Sequence, residues 1–476
     1  MALLHDDSTT KRPAYEVFPS PSPSLAAYEE QNRARPHIDR RKRFFGHLLV
    51  LCVFLGLFFL MKLNGRHHLE FGHEVGHNSH WYYPHHSESH WSDEVTWGEH
   101  NSLDLPVSLE VINRSCAKWP QVEHLNSEGL STVQHTFELP IDSEILFLVA
   151  RGPLMDGNVN ITQSDDENDS AIVSISTSYD DAELLESMKL CKVAARKGEN
   201  GVGIFSSHPH HPHHIHHVHF EISVVFPKGS GPSPLVVSDF RTEMKGVFGH
   251  QVANLSETLS FNSVSLNGAY RPVQIKSLQA RYVNIKSAHS PIEGNFTVKK
   301  SLRLSTANAH INVAVDLLND KTDEESTEVI MNTANSPIEA SISLFSFDSG
   351  ETSSSDGAYR VRAHNANAPV KITFPTAPIN STVRLDAKTA MAPVNVQMHN
   401  TFEGAFSVHT TPFDKKVIVA EEGPDPEERD RKRNLIFDDL HGGISKGHVY
   451  WGTGELGKHR GLARLDTVAG QISLKF

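Results

Sequence analysis

The chain has 476 residues, 21% of them charged and 38% hydrophobic, with a formal net charge of −13 at neutral pH. That length exceeds one ordinary core and implies two or three folded units plus tails. The acidic balance, with no basic face interleaved with aromatic residues, excludes nucleic acid as a partner.

Residues 1–43 read as a disordered tail. FPSPSPSL from Phe18 to Leu25 and a low apolar content cannot bury enough surface to order the segment. Tyr15-Glu-Val-Phe18 fits a Y-x-x-Φ sorting pattern, although four positions with two of them free arise readily by chance. The next stretch, RRKRFFGHLLVLCVFLGLFFLMKL, carries an apolar run from Phe44 to Met61. As a helix it would span about 27 Å, one bilayer crossing. The run starts too far from the N-terminus for a cleaved signal peptide, so residues 44–61 are expected to be a retained transmembrane helix that partners the lipid bilayer. Arg40, Arg41, Lys42 and Arg43 on its N-terminal side outweigh Lys62 and Arg66. The tail is therefore expected in the cytosol and the remainder outside it, at the plasma membrane or along the secretory pathway.

Residues 62–104 read as a histidine-rich stalk, with nine histidines after Asn64, three tryptophans and no sustained period. From about Leu105 the texture changes to short alternating runs, HTFELP, SEILFLVARG, AIVSISTSY and HFEISVVFP, broken by Asp, Gly, Asn and Pro. This predicts a mainly β fold beginning with a β-sandwich-like module over 105–231. One helix is expected in it, over Asp180–Lys197, where Leu184, Leu185, Met188 and Cys191 stand at helical spacing. Cys116 and Cys191 are the only cysteines beyond the anchor. A disulfide between them is one reading and two separate buried thiols the other. Six N-x-[ST] glycosylation acceptors begin at Asn113, Asn160, Asn168, Asn254, Asn295 and Asn380, all beyond the anchor.

Eight histidines fall between His208 and His219 in SHPHHPHHIHHVHFEISVVF. If Ile215–Phe226 is a strand, His217, His219 and Glu221 share one face at metal-ligand spacing for Zn²⁺ or Cu²⁺, while Val218, Phe220, Ile222 and Val224 face the core. The competing reading is a loop that has drifted in composition, with no cofactor. From residue 48 onward 36 Lys and Arg stand against 51 Asp and Glu, a balance of −15, with 28 histidines. Mild acid would therefore bring this part of the chain to neutrality and then to positive charge.

Residues 235–476 repeat a phrase: SAHSPIEGNFTV from Ser287, TANAHINVAVDL from Thr306, TANSPIEASISL from Thr333, NANAPVKITF from Asn365, TAMAPVNVQM from Thr389 and TVAGQISLKF from Thr467. A shortened copy, TAPINSTVRL, starts at Thr376. Each phrase is a small-residue turn followed by a strand with alternate residues inward. One such strand has no core, so the expected architecture is a stack of strands, a β-solenoid or prism. A second sandwich with strands alike only in composition is the alternative. Glu293 and Glu339 occupy matching places and raise the paired-carboxylate chemistry of sugar-cleaving enzymes, but Asn312, Lys371 and Asn395 fill that place in other copies.

The C-terminal GGISKGHVYWGTGELG matches G-x-S-x-G around Ser445 and G-x-G-x-x-G from Gly452. Only 19 residues follow Gly457, too few for a dinucleotide fold. Val449-Tyr450-Trp451 reads as a strand where a nucleophile elbow needs a helix. The A-x-x-P-[IV]-x-[AGV] phrases followed by a strand resemble an adhesin-like domain family of unknown function found in bacteria and fungi, over about residues 235–476. The wider layout, with its anchor, FELP and VVFP strands and VYWG segment, is similar to uncharacterised fungal membrane proteins. That resemblance implies binding and supplies no catalytic residues. The expected function is that of a membrane-anchored surface glycoprotein making adhesive or structural contacts with cell-wall polysaccharide or surface proteins, without catalysis. The alternatives are a polysaccharide-acting enzyme and a histidine-based metal-binding protein.

Overall fold

The computed structural model describes residues 113–119, 131–152, 155–180, 185–194, 196–207, 218–320, 325–347, 356–453 and 460–476. The expected tail, transmembrane segment 44–61, stalk and His208–His217 lie outside them. Among the described residues no helix is long and apolar enough to cross a membrane.

The chain is mainly β. Its first strands are β1 (Asn113–Cys116), β2 (Ser131–Pro140), β3 (Ile145–Arg151), β4 (Asp156–Glu167), β5 (Ser170–Tyr179), β6 (Met188–Ala194), β7 (Glu199–Ser206) and β8 (Val218–Lys228). Then follow β9 (Leu235–Met244), β10 (Val247–Asn254), β11 (Leu259–Asn267), β12 (Val273–Lys286), β13 (Ile292–Ser305), β14 (Ile311–Asp320), β15 (Thr327–Thr333), β16 (Ile338–Phe347), β17 (Ala358–Asn365), β18 (Val370–Thr373), β19 (Thr382–Thr389) and β20 (Val394–Gln397). The last are β21 (Gly404–His409), β22 (Lys416–Val419), β23 (Arg433–His441), β24 (Ile444–Trp451), β25 (Gly461–Thr467) and β26 (Ile472–Lys475).

Hydrogen bonding sorts these strands into two ladders. One runs β1-β6-β7-β3-β9-β11-β12-β13-β15-β17-β19-β25-β21-β24-β23, and we refer to it as sheet I. The other, sheet II, runs β2-β5-β8-β4-β10-β12-β13-β14-β16-β18-β20-β26-β22. β12 and β13 are long enough to bend and serve both. From β9 to β20 the chain alternates between the two ladders, and every pairing is parallel, which is the solenoid arrangement. One large apolar core contains the inward rows of both ladders. The expected boundary near Gly231 falls between β8 and β9, yet β3 pairs with β9 and β4 with β10 across it, so the residues on either side share one core.

The repeated phrases stack. Val273, Ile292, Ile311, Ile338, Val370, Val394 and Ile472 are register partners on successive strands, and each is fully buried. Alternation within a copy does the rest: in β14 every inward residue is buried and its neighbours face out.

The turns carry a second stack, made by the first residue of each of the five phrases after the one that starts at Ser287. Thr306 donates to the Ser290 carbonyl (3.4 Å), Thr333 to Ala309 (3.0 Å), Asn365 to Ser336 (2.7 Å), Thr389 to Ala368 (3.3 Å) and Thr467 to Ala392 (3.2 Å). In each case the acceptor is the fourth residue of the adjacent phrase. These side chains are buried, so each bond removes an orphan polar pair and contributes about 1 kcal/mol. A small fourth residue lets the coils approach this closely. Thr410 makes the same bond to Gly470 (3.0 Å), and Lys416 is the register partner of Ile472. Residues 410–416 are thus a further turn of the stack that the phrase pattern does not reveal.

Two expectations are corrected. Asp180–Lys197 is not a helix: among its described residues only Leu185 and Glu186 are helical, and β6 follows. β6 is buried on both faces, Met188 and Leu190 in the main core and Cys191 and Val193 in a satellite cluster with Phe147 and Val149. Burial on both faces erases the two-residue alternation and imitates helical spacing. Thr376–Leu385 is not a copy of the phrase either. Residues 376–381 connect β18 to β19, with Asn380 at a left-handed φ of 63°, and Val383 joins the row of Tyr359 in sheet I.

Candidate functional site

The outward faces of the two ladders are the surfaces that the repeats build. On sheet II one row runs Gln274, Glu293, Asn312, Glu339, Lys371, Asn395 and Ser473 in unbroken register. Part of this row, with Asn295, Ser341 and Thr373 of the next, lines a shallow groove of about 480 Å³. Glu293 and Glu339 therefore share a row, as their matching places imply, with Asn312 between them. Two strand spacings separate them by about 10 Å at the backbone. Glu293 accepts a hydrogen bond from His310 (2.8 Å). The groove offers amides, carboxylates, hydroxyls and one ammonium at strand spacing, a pattern suited to hydrogen bonding along an extended ligand.

A parallel polar row crosses the turns. Asn367 donates to Asn335 (2.8 Å) and Asn335 to Asn308 (2.7 Å), while Asn308 meets His289 (2.9 Å) and His289 stacks on Tyr270. These asparagines are exposed at the third position of their phrases.

His219 and Glu221 lie on the outward face of β8, with Val218 and Phe220 buried between and beside them. His217 lies outside the described residues. The His219 ring is fully engaged: Nδ1 contacts Asp156 (2.9 Å) and Nε2 contacts Glu221 (2.8 Å). With both nitrogens protonated the ring donates to both carboxylates, so this setting favours the imidazolium form. Burial lowers the His219 pKa, but its hydrogen bonds to Glu221 and Asp156 and the charges of those carboxylates outweigh it, and the net direction is upward. Arg271 pairs with Asp156 (2.8 Å), and Asn158 and Asn160 donate to Glu221 (2.7 and 3.3 Å). Asp156 is 63 residues from His219 in sequence, so no local spacing announces it. Among the described residues no group of three His, Cys, Asp or Glu is arranged to hold a metal ion.

The remaining sequence candidates are dispersed. Ser445 is buried in β24 while His448, three residues on, faces the opposite side and pairs with Asp438 (2.6 Å). Ser445 and His448 thus do not come together as nucleophile and base. The glycines around Ser445 answer to packing: a Cβ on Gly443 would lie 1.6 Å from the Thr410 carbonyl oxygen, and one on Gly447 2.0 Å from that of Ile436. Cys116 and Cys191 are register partners of antiparallel β1 and β6 and are joined by a disulfide. Of the glycosylation acceptors, Asn113 is in β1, Asn160 in β4, Asn168 between β4 and β5, Asn254 at the end of β10, Asn295 in β13 and Asn380 in the β18–β19 connection. Asn168, Asn254 and Asn295 are exposed, and Asn160 and Asn380 are partly so.

A family profile described as "Domain of unknown function (DUF7330)" matches residues 281–421, which is well under half of the chain. No curated protein matches the chain. Among solved structures, a "putative cell adhesion protein" from Clostridium sporogenes aligns at 8% identity over 72% of this chain and 99% of its own, with a TM-score of 0.16. A "putative adhesin" from Parabacteroides merdae aligns at 10% identity over 56% and 92%, TM-score 0.22. Another from Parabacteroides distasonis aligns at 14% identity over 56% and 97%, TM-score 0.23.

Proposed function

We propose that the chain is a membrane-anchored surface protein whose repeated β ectodomain makes adhesive or structural contacts and performs no catalysis. The observation that supports this reading is the register of the outward rows. Residues separated by 19 to 32 positions along the phrases become neighbours on one face, so the surface presents the same kind of contact many times. Arrays of weak contacts gain strength through effective concentration rather than through one deep pocket. Residues 44–61 anchor the array in the bilayer, residues 62–104 hold it away, and sugars on the acceptor asparagines cover part of the surface, that on Asn295 standing at the sheet II groove. The partner is cell-wall polysaccharide or another surface protein.

The test is adhesion of cells displaying the full chain, compared with cells displaying Glu293→Ala/Glu339→Ala, alongside incubation of both forms with a polysaccharide panel. Attachment by the unaltered chain, with no newly released sugar ends from either form, supports the reading. Hydrolysis that the double substitution abolishes would replace it with the enzyme.

A second reading is favoured by the placement of His219 and Glu221 on one outward face beside Asp156. Zn²⁺ or Cu²⁺ held by His217, His219 and Glu221 would take the His219 Nε2 that now contacts Glu221, while Nδ1 keeps its contact with Asp156. Serine at each histidine from His208 to His217 is expected to weaken metal uptake without unfolding the ectodomain, and undiminished uptake would refute the metal reading.

A further inference from the structure

The outward face of sheet I across β13, β15, β17, β19 and β25 differs in charge from the chain as a whole. Three rows of side chains cross β13, β15, β17, β19 and β25. The first reads Ser301, Glu328, Arg360, Arg384 and Leu462; the second Arg303, Ile330, Arg362, Asp386 and Arg464; the third Ser305, Asn332, His364, Lys388 and Asp466. Six permanent cations therefore face three carboxylates on a chain whose overall charge is −13.

The three acids offset part of this positive charge. Asp386 and Asp466 are drawn to Lys388 (2.9 and 4.0 Å), and Asp466 also holds Arg464 (2.9 Å). Glu328 pairs with Arg303 (3.5 Å). Arg360 and Arg384 are direct register partners on adjacent parallel strands, and Arg362 follows Arg360 two residues on, on the same face. Adjacent strands stand about 4.8 Å apart, and like charges directly opposite each other destabilise a sheet. Burial lowers the Arg360 pKa, and the neighbouring Arg362 and Arg384 charges lower it further against the pull of Glu328 and Asp386. The fold tolerates this crowding on a strip where Arg384 is exposed and Arg360 and Arg362 are half-buried.

Guanidinium groups held in rows on a rigid sheet match planar carboxylates bidentately, and each repeat along an extended polyanion can meet the next strand. Tyr282 is the one aromatic side chain in the neighbouring row of β12, so the face lacks the interleaved stacking platforms that single-stranded nucleic acid uses. We infer that the sheet I face centred on Arg360, Arg362 and Arg384 binds an extended carboxylate-bearing polysaccharide, a polyuronate. This rests on the adhesive reading above and names the ligand class and the face that takes it.

The probe is polygalacturonate, immobilised and free, with the full chain in detergent micelles. Neutral dextran, duplex DNA and phosphatidylserine vesicles serve as separate arms. Saturable binding to polygalacturonate that weakens with salt is expected, together with a loss of roughly 30-fold or more in affinity for Arg360→Gln/Arg362→Gln/Arg384→Gln. A control removing the same charge elsewhere, Lys189→Gln/Lys245→Gln/Arg429→Gln, is expected to keep affinity within about twofold. Far-UV spectra and melting temperature establish that each variant is folded. No binding to polygalacturonate, equal loss in the control, or equal binding to DNA or vesicles would overturn the inference. If cells displaying the chain still adhere in any of those cases, the adhesive reading survives without this ligand; if they do not, both fail.

Discussion

Ile338→Ala is the sharpest probe of the stack. Ile338 is fully buried between its register partners Ile311 and Val370, at the middle of the row that runs from Val273 to Ile472. Removing a buried isoleucine down to alanine costs the lost transfer energy plus the cavity, about 2–5 kcal/mol. The high end applies here because backbone hydrogen bonds to strands on both sides prevent collapse, which gives an expectation of about 4 kcal/mol. Glu339→Ala, one residue along and exposed, is expected to cost less than about 0.5 kcal/mol. Urea unfolding of the two variants and the unaltered chain, followed by far-UV circular dichroism, measures the difference. Because each coil touches only its neighbours, the Ile338 variant should also lose cooperativity, seen as a shallower slope. A cost below about 1 kcal/mol, or one equal to that of Glu339→Ala, would refute the register on which the outward rows depend.

Three further outcomes are expected. His250 is completely buried, with Nε2 bonded to Thr242 (2.8 Å) and its pKa pushed down to about 4 by burial. The contribution is complete above the ordinary value of 6.5 and is lost as pH falls from there towards 4, about 3 kcal/mol in all. His219, with its pKa raised, contributes oppositely, fully below pH 6.5 and fading as pH rises through its folded value. Melting temperatures from pH 7.5 down to 4.5 should fall along the acid limb, and fall less for His250→Gln; identical slopes would refute the assignment. Gly443→Ala should destabilise strongly because its Cβ would meet the Thr410 carbonyl, while Ser445→Ala should change binding little; a tolerated Gly443→Ala would show that the hairpin packs differently. Endoglycosidase should increase gel mobility of the chain expressed through the secretory route, and unchanged mobility would contradict both glycosylation and the proposed topology.

The repeats are legible in the sequence because three positions of each phrase answer to one physical demand apiece. The first donates into the adjacent turn in every phrase after that of Ser287, the fourth must be small, and the sixth must fill the core. The turn at Thr410 satisfies the first demand alone, since Lys416 stands where the others place isoleucine or valine. The order of coils is also hidden: β25 inserts between β19 and β21, and β26 between β20 and β22, so the last strands in sequence are not the last in space. The alternation of His219 and Glu221 with Val218 and Phe220 is local and readable, whereas Asp156 and Arg271 arrive from distant strands and turns. The arginine rows are illegible for a similar reason. Arg360 faces Arg384 only because the β17–β18–β19 connections have the length they have, and no local period encodes that register.

The most direct measurement of the central claim is attachment of cells displaying the full chain to polysaccharide-coated surfaces under flow, compared with an in-register deletion of one coil, residues 306–332. Thr306 and Thr333 are equivalent positions, so the deletion rejoins the stack with Ile292 facing Ile338. A multivalent array predicts that the shortened protein folds and holds more weakly, detaching at lower force, with no sugar released from the surface by either form. Attachment that is abolished although the shortened chain is folded, attachment that is undiminished, or release of sugar would contradict it.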